Sequence, residues 1–230
     1  MQSDARTQIL NRIRAAIPQT GADDVSAAWA RLPRDYRKAG SGGVHERLER
    51  LTDRLHDYDA QVLEVEPAGL QGAIARMLTA RGVARMVVPQ GFPADLLPEG
   101  FSFAFDTGLT ALELNGFEGI LTECTLAIAE TGTIVLQNVP GQGRRAATLV
   151  PDYHLCVVEA AKVVATVPEA IELLKPTAHL PTTFISGPSA TADIEMTRIK
   201  GVHGPRFLDV LLVTTASESE REEPTFRALP

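Results

Sequence analysis

The sequence predicts an α/β fold: one mixed, mostly parallel sheet flanked by helices and preceded by an N-terminal helical arm. Three observations predict it. From residue 59 onward, short β-branched or apolar runs alternate with stretches able to form helices, the pattern of parallel strands joined by crossovers. Between Gly132 and Ala165 strand-like runs follow one another too closely for intervening helices, so antiparallel pairing is expected to enter there. The chain has 230 residues, 44% of them hydrophobic, enough for one substantial core and short for two full domains.

Near the N-terminus, Ile9, Ile13 and Ile17 recur every fourth residue before Pro18 and give one apolar stripe on a short helix. From Gly21 to Gly43 the composition turns to Ala, Asp, Pro, Arg and Gly, which reads as an arm or loop. Val44, Leu48, Leu51 and Leu55 then fall on one helix face, with Glu46, Arg47, Glu49 and Arg50 on the other. That helix packs on the core or, with the arm, makes a homo-oligomer contact. Strands are expected at Val62–Val65, Arg85–Val88, Phe101–Phe105, Gly119–Leu121, Gly132–Leu136, His154–Val158, Lys162–Ala165, Thr182–Ile185 and Asp209–Val213, with helices at Leu70–Ala80 and Asp193–Lys200. The organisation is thus an arm (1–58), an α/β domain (59–214) and a polar tail (215–230).

Charge and composition remove several functions. A net charge of −7 opposes nonspecific nucleic-acid binding, which needs clustered Lys and Arg to release counterions. No apolar run approaches the roughly 20 residues that span a bilayer, and the first residues lack the order of a secretory signal. A cytoplasmic protein is expected, and two cysteines, Cys124 and Cys156, fit a reducing compartment. Two thiolates cannot build a four-cysteine iron–sulfur cluster, and no metal-ligand motif is present.

The densest chemistry lies in Ser186-Gly187-Pro188-Ser189-Ala190-Thr191-Ala192-Asp193-Ile194-Glu195 and the following Gly201-Val202-His203-Gly204-Pro205. After the strand Thr182–Ile185, Gly187 permits a sharp turn, and Ser189 or Thr191 can cap the helix expected from Asp193. In open α/β sheets, ligands gather at the carboxyl ends of strands. Asp193 and Glu195 complement the helix dipole, which disfavours a phosphate. They also diverge by about 200° around a helix, so they are no ready acid–base pair. Capping and ligand binding both remain open for this block. His203, flanked by Gly201 and Gly204, suits a loop site or a loop brace.

Glu130, in Ala129-Glu130-Thr131-Gly132-Thr133, stands where a turn enters an apolar strand. It is a candidate for proton transfer or a turn carboxylate bonded to amides. Gly141-Gln142-Gly143-Arg144-Arg145-Ala146 matches a dinucleotide fingerprint formally, but Pro151 arrives too soon for the required helix. A loop remains in which Arg144 or Arg145 could grip a carboxylate in bidentate fashion. His154 shares a strand face with Cys156, as a site histidine or a bonded core histidine.

Ala127–Leu136, Pro151–His154, Ser186–Glu195 and Gly201–Pro205, in that order and spacing, resemble the LUD-domain family over roughly Gly119 to Leu212. The resemblance implies the NagB/RpiA/CoA-transferase-like fold of sugar-phosphate isomerases and CoA-transferases. It also implies a part in bacterial oxidation of L-lactate to pyruvate, beside an iron–sulfur protein and a glycolate-oxidase-like subunit. No intrinsic cofactor is expected; the clusters would belong to a partner. In related CoA-transferases a glutamate before a turn glycine is the nucleophile, and Glu130 has a similar setting, although Thr131 replaces their usual polar amide.

Two functions follow. The chain is a component of a lactate-oxidising system that binds a small carboxylate or a partner's cofactor. Alternatively, it is a free-standing CoA-transferase- or isomerase-like enzyme using Glu130 or Asp193. The candidate catalytic residues are Glu130, Asp193 and His203, and the candidate ligand-binding residues are Thr131, Thr133, Arg144, His154, Ser186, Ser189, Thr191 and Glu195. Glu130, His154, Ser189, Asp193 and His203, which lie at expected strand ends or in the turns after them, are expected to converge on one cleft.

Overall fold

The structure is a computed structural model that describes residues 5–17, 22–191, 199–201 and 203–214. Two compact units divide the chain between Arg37 and Lys38. In the first, α1 (Ala5–Ala16) carries the expected isoleucine stripe, with no residue of the helix buried. The segment expected to be an arm or loop contains a second helix, α2 (Ala22–Ala30). Its Ala-rich sequence holds neither Gly nor Pro, so propensity outweighs the polar composition around it. Arg34 stacks over the Trp29 ring at 4.9 Å and donates to the Trp29 carbonyl.

In the second unit the elements follow in the order α3 (Val44–Asp57), β1 (Gln61–Val65), α4 (Leu70–Arg81), β2 (Arg85–Pro89), β3 (Ser102–Asp106), α5 (Ala111–Leu114) and β4 (Gly119–Thr122). Then come β5 (Leu126–Ile128), β6 (Thr133–Gln137), β7 (Tyr153–Glu159), β8 (Val163–Val164), α6 (Val167–Leu174), β9 (Thr182–Ile185), β10 (Ala190–Thr191), β11 (Ile199–Lys200) and β12 (Phe207–Val213). The mixed, mostly parallel α/β class is as expected, but the strands form more than one sheet. Six strands make an all-parallel sheet in the order β1-β12-β7-β4-β2-β3. The antiparallel pairing anticipated after Gly132 occurs in a separate four-stranded sheet, β8-β5-β6-β9.

Alternation of side chains explains the layering. Leu155 and Val157 of β7 and Leu211 and Val213 of β12 pack against Leu70, Ala73, Ile74, Met77 and Leu78 of α4. On the opposite face, Cys156, Val158, Val210 and Leu212 meet Leu48, Leu51 and Leu55 of α3 together with Ala127, Ile134 and Leu136 of the small sheet. The α3 stripe is therefore core packing. The outer face of the small sheet, Leu126, Ile128 and Val135, is closed by Ala170 and Leu174 of α6. Strands β5 and β6 are buried on both faces, which is why they lack the alternation of a half-exposed strand.

A charge also lies inside the sheet. Asp209 is fully buried on the α4 side and receives two bonds from Arg81, at 2.7 and 2.6 Å, and one from the Gln61 amide. The pair ties the end of α4 to β12. Among the described residues no helix is long and apolar enough to cross a membrane.

The region after Thr191 differs from expectation. Ala190–Thr191 pairs antiparallel with Ile199–Lys200, so Thr191 sits in a ladder, and Ile199 and Lys200 are in a strand and not in the helix expected there. Asp193 and Glu195 lie outside the described residues.

Candidate functional site

Strand β9 delivers Ser186 to a turn at Gly187, whose φ of +82° is the left-handed conformation the sequence anticipated. A Cβ at Gly187 would stand 2.6 Å from that of Tyr58, so both conformation and space require glycine. Beyond the turn, Ser189 is a hub. Its amide donates to the Pro205 carbonyl, its carbonyl accepts from Gly201, and its hydroxyl accepts from the His203 amide, each at 2.8 Å. The Ser186–Ser189 turn and the Gly201–Pro205 loop are thereby clamped together.

These loops wall a cleft of about 270 Å3 whose lining includes Arg145, Thr148, His154, Ser186, Ser189 and His203. Four predicted site residues, His154, Ser186, Ser189 and His203, thus meet although they are distant in sequence. Their location is not the one expected. His154 and Leu208 begin the parallel strands β7 and β12, so the cleft lies at the amino ends of the main sheet. The block follows the carboxyl end of β9, but β9 belongs to the small sheet.

Electrostatics define what the cleft accepts. Its described lining holds one guanidinium, two imidazoles and the hydroxyls of Thr148, Ser186 and Ser189, with no carboxylate. Arg145 projects from an exposed loop position and donates to Thr148 Oγ1 at 3.3 Å. His154 is buried, with Nε2 2.8 Å from Thr122 Oγ1. Burial, reinforced by the Arg145 charge, lowers its pKa to about 4, so the ring is neutral at pH 7. A neutral imidazole leaves Arg145 as the fixed positive charge of the described lining.

The other predicted residues fall elsewhere. Arg144 does grip a carboxylate with two bonds, but it is the protein's own Asp106, at 2.8 and 3.0 Å, and it also donates to the Leu109 carbonyl. Arg144 is therefore a loop anchor, and its neighbour Arg145 faces the cleft. The sequence could not rank the two, because Asp106 lies 38 positions away. Glu130 is half-buried, its amide donating to the Ala165 carbonyl at 3.1 Å, and it does not line the cleft. A chain of hydroxyls starts beside it: Thr131 Oγ1 lies 2.7 Å from Thr133 Oγ1, which lies 2.8 Å from Ser186 Oγ at the cleft wall. Thr148 and Thr122 were not singled out in the sequence. Only the fold reveals them, by setting Thr122 against His154 and Thr148 against Arg145.

The fold is that of an α/β protein with two stacked sheets and a cationic cleft between the loops of one sheet and the strand starts of the other. The LUD domain model matches residues 50–213, and the chain belongs to the LUD-domain family, as the residue blocks resembled. It is 44% identical over 171 residues to lactate utilization protein C of Deinococcus radiodurans, a match covering 73% of this chain and 80% of that protein. Lactate utilization protein C of Shouchella clausii is 39% identical over 90 residues, 37% of this chain and 39% of the relative. A crystal structure of a DUF162 family protein from Deinococcus radiodurans superposes with a TM-score of 0.67 at 39% identity, covering 76% of this chain and 100% of that one.

Proposed function

We propose that the chain is a component of a multiprotein system oxidising L-lactate to pyruvate, and that its cleft binds a small carboxylate. Kinship with proteins named lactate utilization protein C supports the pathway. The observation that carries the ligand class is the cleft lining: Arg145, His154, His203 and three hydroxyls, with no carboxylate among the described residues. A guanidinium pairs with a carboxylate through charge-assisted bonds. Ser186, Ser189 and neutral His154 offer donors and acceptors for a neighbouring hydroxyl or oxo group. His203, on its clamped loop, is the candidate for proton transfer at the substrate oxygen, and the Thr131–Thr133–Ser186 chain links the Glu130 turn to the same wall.

Oxidation of lactate releases two electrons and two protons. In this reading the electrons pass to an iron–sulfur protein and a glycolate-oxidase-like subunit, and this chain holds substrate or product. The free-standing CoA-transferase- or isomerase-like alternative needs Glu130 or Asp193 at the reacting atoms, and Glu130 does not line the cleft.

Calorimetric titration of the full chain with L-lactate and with pyruvate tests the ligand class. Saturable binding is expected, and Arg145→Gln should weaken it by about 10- to 100-fold, the loss of one or two charge-assisted bonds. Equal affinity in Arg145→Gln would reject the cleft as the anion site. Restoration of lactate oxidation in a deletion extract only when both partners are present tests the pathway.

A further inference from the structure

At the other end of the main sheet, β2 pairs with β3 on one side and β4 on the other, so the strand order reverses there and the carboxyl ends of β2 and β4 flank a topological switch point. The loop after β6 is inserted there: Gly141 donates to the Gln90 carbonyl at 2.9 Å and accepts from the Glu123 amide at 2.8 Å. Beside this plug is a cavity of about 350 Å3, walled by Leu70, Phe92, Leu96, Val157 and Val213. Its polar lining consists of Glu123 and Glu159.

The two carboxylates differ. Glu159 is paired with Lys162 at 2.7 Å. Glu123 is half-buried, and its carboxylate makes no hydrogen bond or ion pair among the described residues. It lies against Gly141, where a Cβ would stand 2.2 Å from Oε2, so the absence of a side chain on the plug leaves it room. The three charges sum to one net negative charge, carried by an unpaired group on an apolar wall. An acid taken partly out of water without a partner is costly, and a ligand cation would relieve that cost.

We propose that this crevice binds a small amine with an apolar body, its ammonium paired with Glu123 and its hydrocarbon part against Phe92, Leu96 and Val157. The site is separate from the cationic cleft and opposite to it in charge preference. Burial raises the Glu123 pKa, an effect partly offset by Lys162, so amine binding should fall as pH drops into the range where Glu123 takes up a proton.

The test is an NMR titration of the full chain with benzylamine, benzyl alcohol and benzoate at neutral pH. Benzylamine should give saturable amide shifts at Val157, Ala160 and Val213, with benzyl alcohol at least tenfold weaker and benzoate without effect there. Glu123→Gln should reduce benzylamine binding to the level of the alcohol. Ala161→Phe, which narrows the cavity at an exposed lining residue, should abolish it with Glu123 intact. Equal binding of amine and alcohol, unchanged binding in Glu123→Gln, or no saturable shift at the cavity would overturn the proposal. None of these outcomes alters the L-lactate titration, so the two sites stand or fall separately.

Discussion

The two ends of the parallel sheet are built from opposite chemistry. At the amino ends, the loops after β6 and β9 and the loop before β12 bring Arg145, Ser186, Ser189 and His203 around His154 of β7 in a cationic cleft. At the carboxyl ends, apolar residues surround an unpaired acid, and the Pro140–Gly143 loop fills the switch point. The strand-end rule locates ligands by what is left open there. Here the second sheet both plugs the conventional crevice and builds an additional cleft at the far end. Position in a sheet is therefore weaker evidence than the sign of the charge left without a partner.

The largest effect comes from removing the pair that keeps a third region neutral. Arg81 is mostly buried and would be a second cation near the amino ends if Asp209 did not neutralise it. Asp209→Ala leaves that guanidinium without its carboxylate, and unfolding free energy should fall by roughly 3–5 kcal/mol in urea titration. Replacing both partners with apolar residues should restore much of the loss. A single substitution costing under about 1 kcal/mol would show that the pair is solvated.

Next is acid sensitivity of the amino-end cleft. His154 has a folded pKa of about 4 against an ordinary value of 6.5, so the unfolded chain binds this proton more readily. The contribution of neutral His154 is full above about pH 6.5 and declines as pH falls toward 4, to a total of about 3 kcal/mol. His154→Gln should flatten that part of the stability–pH curve. A curve with the same slope in the variant would assign the acid loss to other groups.

The fold class and part of the cleft were legible in the sequence, but the contrast between the two ends of the sheet was not, and the reasons are physical. Alternation of strands and helices predicts the fold class, and strand ends and turns predict the meeting of His154, Ser189 and His203; Glu130, expected in the same cleft, does not line it, and Asp193 lies outside the described residues. The second sheet was not legible because β5 and β6 are buried on both faces and their partners, β8 and β9, lie up to about 50 residues away. The choice between Arg144 and Arg145 depended on Asp106, and the strand at Ala190–Thr191 on Ile199 and Lys200. Pairings set by tertiary approach leave no periodic trace.

At the carboxyl end, the plug itself can be loosened. Gly141 has φ +80°, and a Cβ there would meet Glu123 Oε2. Gly141→Ala combines a left-handed backbone cost with a displaced carboxylate and should lower stability by about 2 kcal/mol, measured by thermal unfolding. Amide shifts should spread through the loops after β2 and β4 and leave the Ser189 clamp unchanged. Shifts at both ends would mean that the two regions are mechanically coupled.

The smallest expected effect bears on whether Glu130 belongs to the amino-end cleft at all. Thr133 is buried and its hydroxyl lies between those of Thr131 and Ser186. It is the step through which the Glu130 turn reaches the cleft wall. Thr133→Val keeps the shape and removes both bonds, so stability should fall by about 1 kcal/mol, the net worth of a hydrogen bond. Thr133→Ser, which keeps the hydroxyl, should retain more of it. Combining Thr133→Val with Ser186→Ala should cost less than the sum of the two single changes, because both remove the same bond. If lactate affinity follows this coupling, the hydroxyl chain organises the cleft and Glu130 acts through it. Strict additivity, with unchanged affinity, would confine Glu130 and its threonines to shaping the turn.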